Sequence, residues 1–386
     1  MTPNTSAPIP YWRLSSFYFF YYALVGVLVP YWTLYLQHLG YSPYEIGVIA
    51  GLLMATRVLA PNIWGWLADR YGNRLSIIRI GSFAAALCFS SIFISTRYLW
   101  LVWVVLSFSF FWNAVLAQFE VLTLALLAPQ TGRYGLVRQW GSVGFIAAVL
   151  ALGYLFEWVS LSHLPVVVFS LLLLIWLSSL AVPDVACHKV APPATSFWLK
   201  LKQPSVLLFF LVCFLLQVSH GPYYTFYSIY LHDLGYSAGT IGWLWALGVI
   251  AEIVLFWFAR GLLARISLLN LLALALALTV VRWYLIGAYS QVITLLLVAQ
   301  LLHAASFGLA HAVAIEWVGK AFSDSSPGQG QALYSSLSFG AGGALGALLS
   351  GSAWHWSAQF TFFSASLIAA LGLVVALSLK FVRIRN

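Results

Sequence analysis

Apolar runs of about twenty residues recur twelve times along this chain, near 14–37, 44–68, 75–95, 98–127, 136–158, 163–182, 205–231, 240–262, 267–288, 291–318, 329–353 and 358–380. A helix of that length crosses the ~30 Å hydrocarbon core of a bilayer. Composition excludes a soluble fold. Hydrophobic residues make up 62 % of the 386-residue chain and charged ones 7 %, whereas a soluble domain carries about 25 % charged residues to cover its surface. Lipid must therefore be the solvent. Secreted disulfide-rich, disordered and nucleic-acid-binding classes fall with the soluble one.

One long polar stretch groups the runs. Pro183 to Pro204 holds Asp184, His188, Lys189, Pro192, Pro193, Lys200 and Lys202 and reads as a linker. It divides the chain into a six-helix bundle over 1–182, a cytoplasmic linker over 183–204 and a second six-helix bundle over 205–386. Lysines and arginines set the orientation, because cytoplasmic loops are enriched in them. Of the eighteen, Arg57, Arg138 and Arg282 lie deep inside runs; fourteen of the other fifteen fall in loops or at run ends on one side and only Arg97 on the other. Both termini are thus expected in the cytoplasm, and the formal charge of +9 needs no anionic polymer as partner. Met1 to Tyr11 lacks the basic start of a signal peptide, so the first run is expected to stay as a span. Cys88, Cys187 and Cys213 are too scattered for a metal site or a disulfide framework.

The chain also repeats itself. Displaced by 195 residues, Gly26, Tyr35, Leu36, Leu39, Gly40, Tyr41, Ser42, Ile46 and Gly47 coincide with Gly221, Tyr230, Leu231, Leu234, Gly235, Tyr236, Ser237, Ile241 and Gly242. Two parallel six-helix halves with a midplane site between them are a transporter architecture. The second run ends in Gly65-Trp66-Leu67-Ala68-Asp69-Arg70-Tyr71-Gly72-Asn73-Arg74. This loop resembles the G-x-x-x-D-R-x-x-G-x-R/K motif of the major facilitator superfamily. The resemblance implies an all-α integral membrane fold, with twelve transmembrane helices in two pseudo-symmetric six-helix bundles. It also implies that Gly65, Asp69, Arg70 and Arg74 stabilise and gate one face, without binding substrate.

Ionisable groups inside the runs are the informative minority, because each costs several kcal/mol in lipid unless paired or hydrated. Those placed deepest, away from the run ends, include Arg57, Glu120, Arg138, Glu252, Arg282, His303 and His311. Glu316, with Lys320 four residues on, reads as a solvated pair. Arg57 maps onto Glu252 under the same displacement, which puts the two at similar depth on the second and eighth helices. His303 and His311 are eight apart, within ~80° of one helix face. His220 precedes a Gly221-Pro222 break and is expected at a bend. For Arg138 and Arg282 a packing ion pair and a substrate-binding guanidinium both remain open. Tyr22, Tyr31, Phe119, Trp140, Tyr223, Tyr227 and Trp243 fall on the helices expected to line a cavity, where packing is the alternative.

A closer resemblance runs through these positions. Asn113-Ala114-Val115-Leu116-Ala117-Gln118-Phe119-Glu120 and Tyr134-Gly135-Leu136-Val137-Arg138-Gln139-Trp140-Gly141 resemble the fourth and fifth helices of the lactose-permease-like subfamily. That subfamily grips substrate with an acid and an arginine eighteen residues apart. Val249 to Glu252, Val281-Arg282-Trp283 and Gln300 through His303, Phe307 and His311 resemble its eighth, ninth and tenth helices. The two-histidine tenth helix and the Arg138–Val143 stretch are most similar to its 3-phenylpropionate transporter branch. Glu120, Arg138, Arg282, His303 and Trp140 are accordingly expected to bind substrate, Glu252 and His303 to carry the coupling proton, and Arg57, His311 and Asn113 to line the cavity. One departure matters. Lactose permeases keep a proton-carrying glutamate three residues after the tenth-helix histidine, where this chain has Ser306.

The expectation is a monomeric, cofactor-free transporter of the bacterial-type inner membrane. It would couple proton entry to uptake of a small aromatic carboxylate, with a sugar or nucleoside as the alternative solute. A membrane-embedded enzyme would need a Ser-His-Asp set, an HExxH pair or a cysteine pair at useful spacing, and none is present. Nothing resembles a signalling domain, as a receptor would require.

Overall fold

A computed structural model of the protein describes residues 9–185, 195–323 and 327–381. Cys187, His188, Lys189, Pro192, Pro193, Arg383 and Arg385 lie outside the described residues. Among those described, twelve helices are long and apolar enough to cross a membrane: α1 Tyr11–His38, α2 Pro43–Tyr71, α3 Arg74–Phe93, α4 Tyr98–Leu126, α5 Tyr134–Trp158, α6 Leu161–Leu180, α7 Pro204–Asp233, α8 Ala238–Arg265, α9 Leu268–Tyr289, α10 Ile293–Ala321, α11 Gly328–Trp354 and α12 Ala358–Ser378. The fold is the all-α membrane architecture that the apolar runs imply.

Among the described spans, α7, α10 and α11 are irregular in mid-length. The seventh is two pieces, Pro204–Ser219 and Gly221–Asp233, joined at His220. Pro222 explains the joint, since it lacks an N–H and its ring crowds the preceding turn. His220 therefore sits at the bend expected for it. The tenth and eleventh helices contain π turns, Ala304–Leu309 and Ser336–Gly342, where one extra residue widens the coil.

The duplication persists in hydrogen bonds. After α1, the Gly40 N–H donates to the Gln37 carbonyl at 2.9 Å and the Tyr41 N–H to that of Leu36 at 3.2 Å. After α7, Gly235 and Tyr236 donate to His232 and Leu231 at 2.9 and 3.0 Å. Both are helix stops whose glycine must be left-handed, and φ is 85° at Gly40 and 87° at Gly235. The Leu-Gly-Tyr-Ser block thus repeats because it codes the same turn twice.

The described chain forms two compact units. Among the described residues, one comprises 9–27, 60–148 and 165–185; the other comprises 28–59, 149–164, 195–323 and 327–381. In the first, the Arg79 guanidinium donates to the carbonyls of Leu180 and Val182, both at 3.1 Å, and so stops α6. In the second, α2 and α11 meet backbone to backbone. A Cβ added to Gly47 would lie 2.8 Å from the Ala347 carbonyl oxygen and 2.8 Å from the Gly351 Cα. Overpacking of that kind costs about 1–3 kcal/mol. Gly351→Val is therefore expected to lower the thermal unfolding midpoint of the purified protein, whereas Gly261→Ala, where an added Cβ meets nothing within 4 Å, does not lower it.

Candidate functional site

In the first unit, three groups gather around Arg138 on α5. Its Nε lies 3.7 Å from Glu120 Oε1 on α4, and the two side chains are 30 % and 38 % exposed. The guanidinium carbon stands 4.1 Å from the centroid of Tyr22 and 5.4 Å from that of Tyr18, both on α1. Arg138 also donates to the Tyr22 hydroxyl. Tyr18 donates to Thr123 at 3.3 Å, and Phe17 stacks on Phe119 at 3.7 Å. Aromatic packing thus fixes the α1 face that presents Tyr22 to the arginine. The acid and base expected from the eighteen-residue spacing are adjacent, and they remain reachable.

Trp140 does not join them. Its indole N–H donates to the Tyr11 hydroxyl at 2.9 Å and its ring meets Trp12 edge-on at 5.4 Å, so it pins the start of α1. Asn113 is buried on α4, two turns before Glu120. The loop motif closes on itself: Arg74, buried, pairs with Asp69 and also donates to Gln118 of α4. Arg70 instead lies over the Trp66 ring at 5.3 Å. Gln118, two residues before Glu120, is a partner that the motif alone did not reveal.

In the second unit, Arg282 of α9 is fully buried. Its Nε donates to the Ala299 carbonyl at 3.0 Å and its Nη1 to the Ser306 hydroxyl at 2.9 Å. The Tyr223 and Trp283 ring centroids lie 4.1 and 4.6 Å from the guanidinium carbon. Nη2 has no hydrogen-bond partner among the described residues. Ser306, met in the sequence only as a missing acid, is thus the neutral acceptor that faces this arginine. Gln300 locks the floor: it accepts from Tyr223 at 2.9 Å and donates to Tyr227 at 2.6 Å.

Beside this group, His303 Nε2 stands 3.7 Å from Glu252 Oε2. That is ion-pair distance and too long for a hydrogen bond. The π turn that follows His303 aligns three rings along α10. His303 and Phe307 lie within 4° of parallel at 5.4 Å, and Phe307 and His311 within 12° at 6.1 Å. His311 Nδ1 ends the column 3.1 Å from the Tyr334 hydroxyl. Arg57 lies partly buried on α2, where the next residue, Val58, packs on Gly340. Glu316 and Lys320 form an exposed pair at 3.0 Å, outside the site.

Twelve spans with a few buried charges define a membrane transporter of the major facilitator superfamily. The chain belongs to the MFS_1 like family, which matches residues 11–365. It is 29 % identical over 356 residues to a protein of Escherichia coli (strain K12) named "Probable 3-phenylpropionic acid transporter", covering 91 % of this chain and 93 % of that one. It is 28 % identical over 374 residues to the maltose permease of Geobacillus stearothermophilus, covering 94 % and 93 %. The crystal structure of the nucleoside transporter NupG superposes with a TM-score of 0.82 at 17 % identity, covering 97 % of this chain and 99 % of that one. Family and relatives are transporters; none is an enzyme.

Removing the Ser306 hydroxyl leaves a buried Arg282 N–H without its acceptor, a loss of about 1–3 kcal/mol. Ser306→Ala is expected to lower the thermal midpoint, and Ser306→Thr, which keeps the hydroxyl, to restore most of it.

Proposed function

We propose that this chain is a proton-coupled symporter that takes up a small aromatic carboxylate, such as 3-phenylpropionate, by alternating access. The loop charges support an orientation with both termini and the 183–204 linker in the cytoplasm. The two six-helix repeats are then the bodies that exchange access. The observation carrying the substrate class is Arg282: a permanently charged group, fully buried, held by two neutral acceptors and two ring faces, with Nη2 still unpartnered. A guanidinium in low dielectric is best completed by a carboxylate taken bidentately. Tyr223 and Trp283 suit the aryl end of such an acid.

Arg282 is covered in the present arrangement. Tyr223, which covers it, lies on the half of α7 beyond the His220 joint, so bending at Gly221-Pro222 uncovers the guanidinium. Glu252 and His303 take the coupling proton, since serine occupies the place of the acid used in lactose permeases. The carboxylate and the histidine stand 3.7 Å apart, and adding a proton to either changes the charge that the neighbouring helices must accommodate.

A neutral solute, sugar or nucleoside, is the second reading. The Glu120–Arg138 pair favours it: internally balanced and part-exposed, it offers an acceptor and donors to hydroxyls without demanding a charge. Competition separates the two. Unlabelled 3-phenylpropionate is expected to inhibit uptake of labelled 3-phenylpropionate in proteoliposomes, while maltose and uridine do not; inhibition by the neutral solutes alone reverses the assignment. Arg282→Gln is expected to reduce carboxylate uptake about 10- to 100-fold, the worth of a charge-assisted hydrogen bond. Glu252→Gln is expected to abolish uphill accumulation while counterflow persists, and unchanged proton-driven uptake would refute its role.

A further inference from the structure

The two repeats cap the same helix start differently. In the first, α2 is capped from within. Glu45 Oε2 accepts the Ser42 N–H at 2.9 Å and the Ser42 hydroxyl at 2.7 Å, and the Ser42 hydroxyl accepts the Glu45 N–H at 3.4 Å. That is a capping box complete within four residues. In the second, α8 starts at the equivalent Ser237, whose hydroxyl accepts the Thr240 N–H at 3.2 Å. The residue equivalent to Glu45 is Thr240, which has no carboxylate.

The missing carboxylate arrives from another helix. Glu157, in the last turn of α5, accepts the Gly239 N–H at 3.1 Å. One turn earlier on α5, the Tyr154 hydroxyl accepts the Trp243 indole N–H at 2.7 Å. Beneath this seam, Tyr31 donates to the Val149 carbonyl at 2.8 Å, and the Val149 side chain is fully buried. The position equivalent to Glu157 is Ser352, which bonds back to Leu348 of its own helix at 3.1 Å.

A carboxylate is favoured at a helix N-terminus by unpaired amides and by the helix dipole. A cap supplied from within the helix persists in every arrangement of the chain, whereas a cap supplied by α5 exists only while α5 and α8 touch. We propose that Glu157 is a gating residue: capping α8 from α5 stabilises the state closed at this end, and each transport cycle breaks and re-forms that cap. The proposal rests on the alternating-access reading. It also connects the seam to coupling, because α8 carries Glu252 thirteen residues beyond Gly239.

The test is thiol accessibility at the sealed position. Val149→Cys is introduced with Cys88, Cys187 and Cys213 replaced by serine, and the purified protein in nanodiscs is treated with a membrane-impermeant maleimide. Adding Glu157→Ala is expected to raise the labelling rate about fivefold, the scale of one helix-end charge interaction. Adding Glu45→Ala, which removes the internal cap of α2, is expected to leave the rate unchanged. The decisive variant combines Glu157→Ala with Thr240→Glu, restoring an internal cap to α8: thermal midpoint recovers while labelling stays fast. Equal rates with and without Glu157, or an equal rise from Glu45→Ala, overturn the proposal. Labelling needs no substrate, so a failure here is distinct from a failure of the solute assignment.

Discussion

An ionised side chain in hydrocarbon costs several kcal/mol unless something answers its charge. The chain meets this cost in distinct ways. Arg74 is answered by Asp69 and by the Gln118 amide, Arg138 by Glu120 and the Tyr22 ring, and Glu252 by His303. The two arginine–carboxylate pairs are each close to neutral as a unit, and the Glu252–His303 pair is so only when the histidine carries a proton. Arg282 is answered by a carbonyl, a hydroxyl and two π faces, none of which carries a full negative charge. Dipoles and quadrupoles hold the cation in place but leave its field uncompensated, and that difference sets Arg282 apart as the group suited to an anion from outside.

The helical irregularities sit beside the same groups. The α7 joint falls at His220, whose ring meets Trp283 edge-on at 4.9 Å. The π turn of α10 contains Ser306 and begins directly after His303. A regular helix would rotate His303, Phe307 and His311 progressively off one face; the wider turn brings their rings near parallel. Such turns are frequent at functional sites, and the one in α10 meets Arg282 through Ser306.

The spans were legible because one length scale, the bilayer, selects them, and no tertiary contact is needed to read it. The Gly40 and Gly235 turns were legible for a similar reason: their chemistry is local. The Glu120–Arg138 neighbourhood was readable only through a resemblance, since eighteen residues and a loop separate the two. The partners of Arg74 and Arg282 were not legible. Gln118 and Ser306 are uncharged, and nothing in a single sequence marks which of many serines or glutamines faces a buried cation. Trp140 failed in the opposite sense, because an aromatic two residues from Arg138 points elsewhere on the helix, toward Tyr11. Glu157 carries no signal in the sequence that marks it out, and only folding brings it to an amide 82 residues away.

Duplication gives a way to separate scaffold from device. Where the 195-residue displacement preserves identity, as at Gly40 and Gly235 or Ser42 and Ser237, the two copies share the turn and the serine's bond to the amide three residues on, and the residue serves the fold. Where it changes charge, the copies have been given different tasks. Glu45 becomes Thr240, and the acid that capped its own helix is replaced by one reaching across from α5. Arg57 becomes Glu252, and the acid so gained stands beside His303. Both changes fall on the second and eighth helices, α2 and α8, the first altering how α8 begins and the second what it carries at mid-length. These substitutions break the equivalence along a single rigid element, so a change of charge at Glu252 and a change of contact at Glu157 act on the same helix.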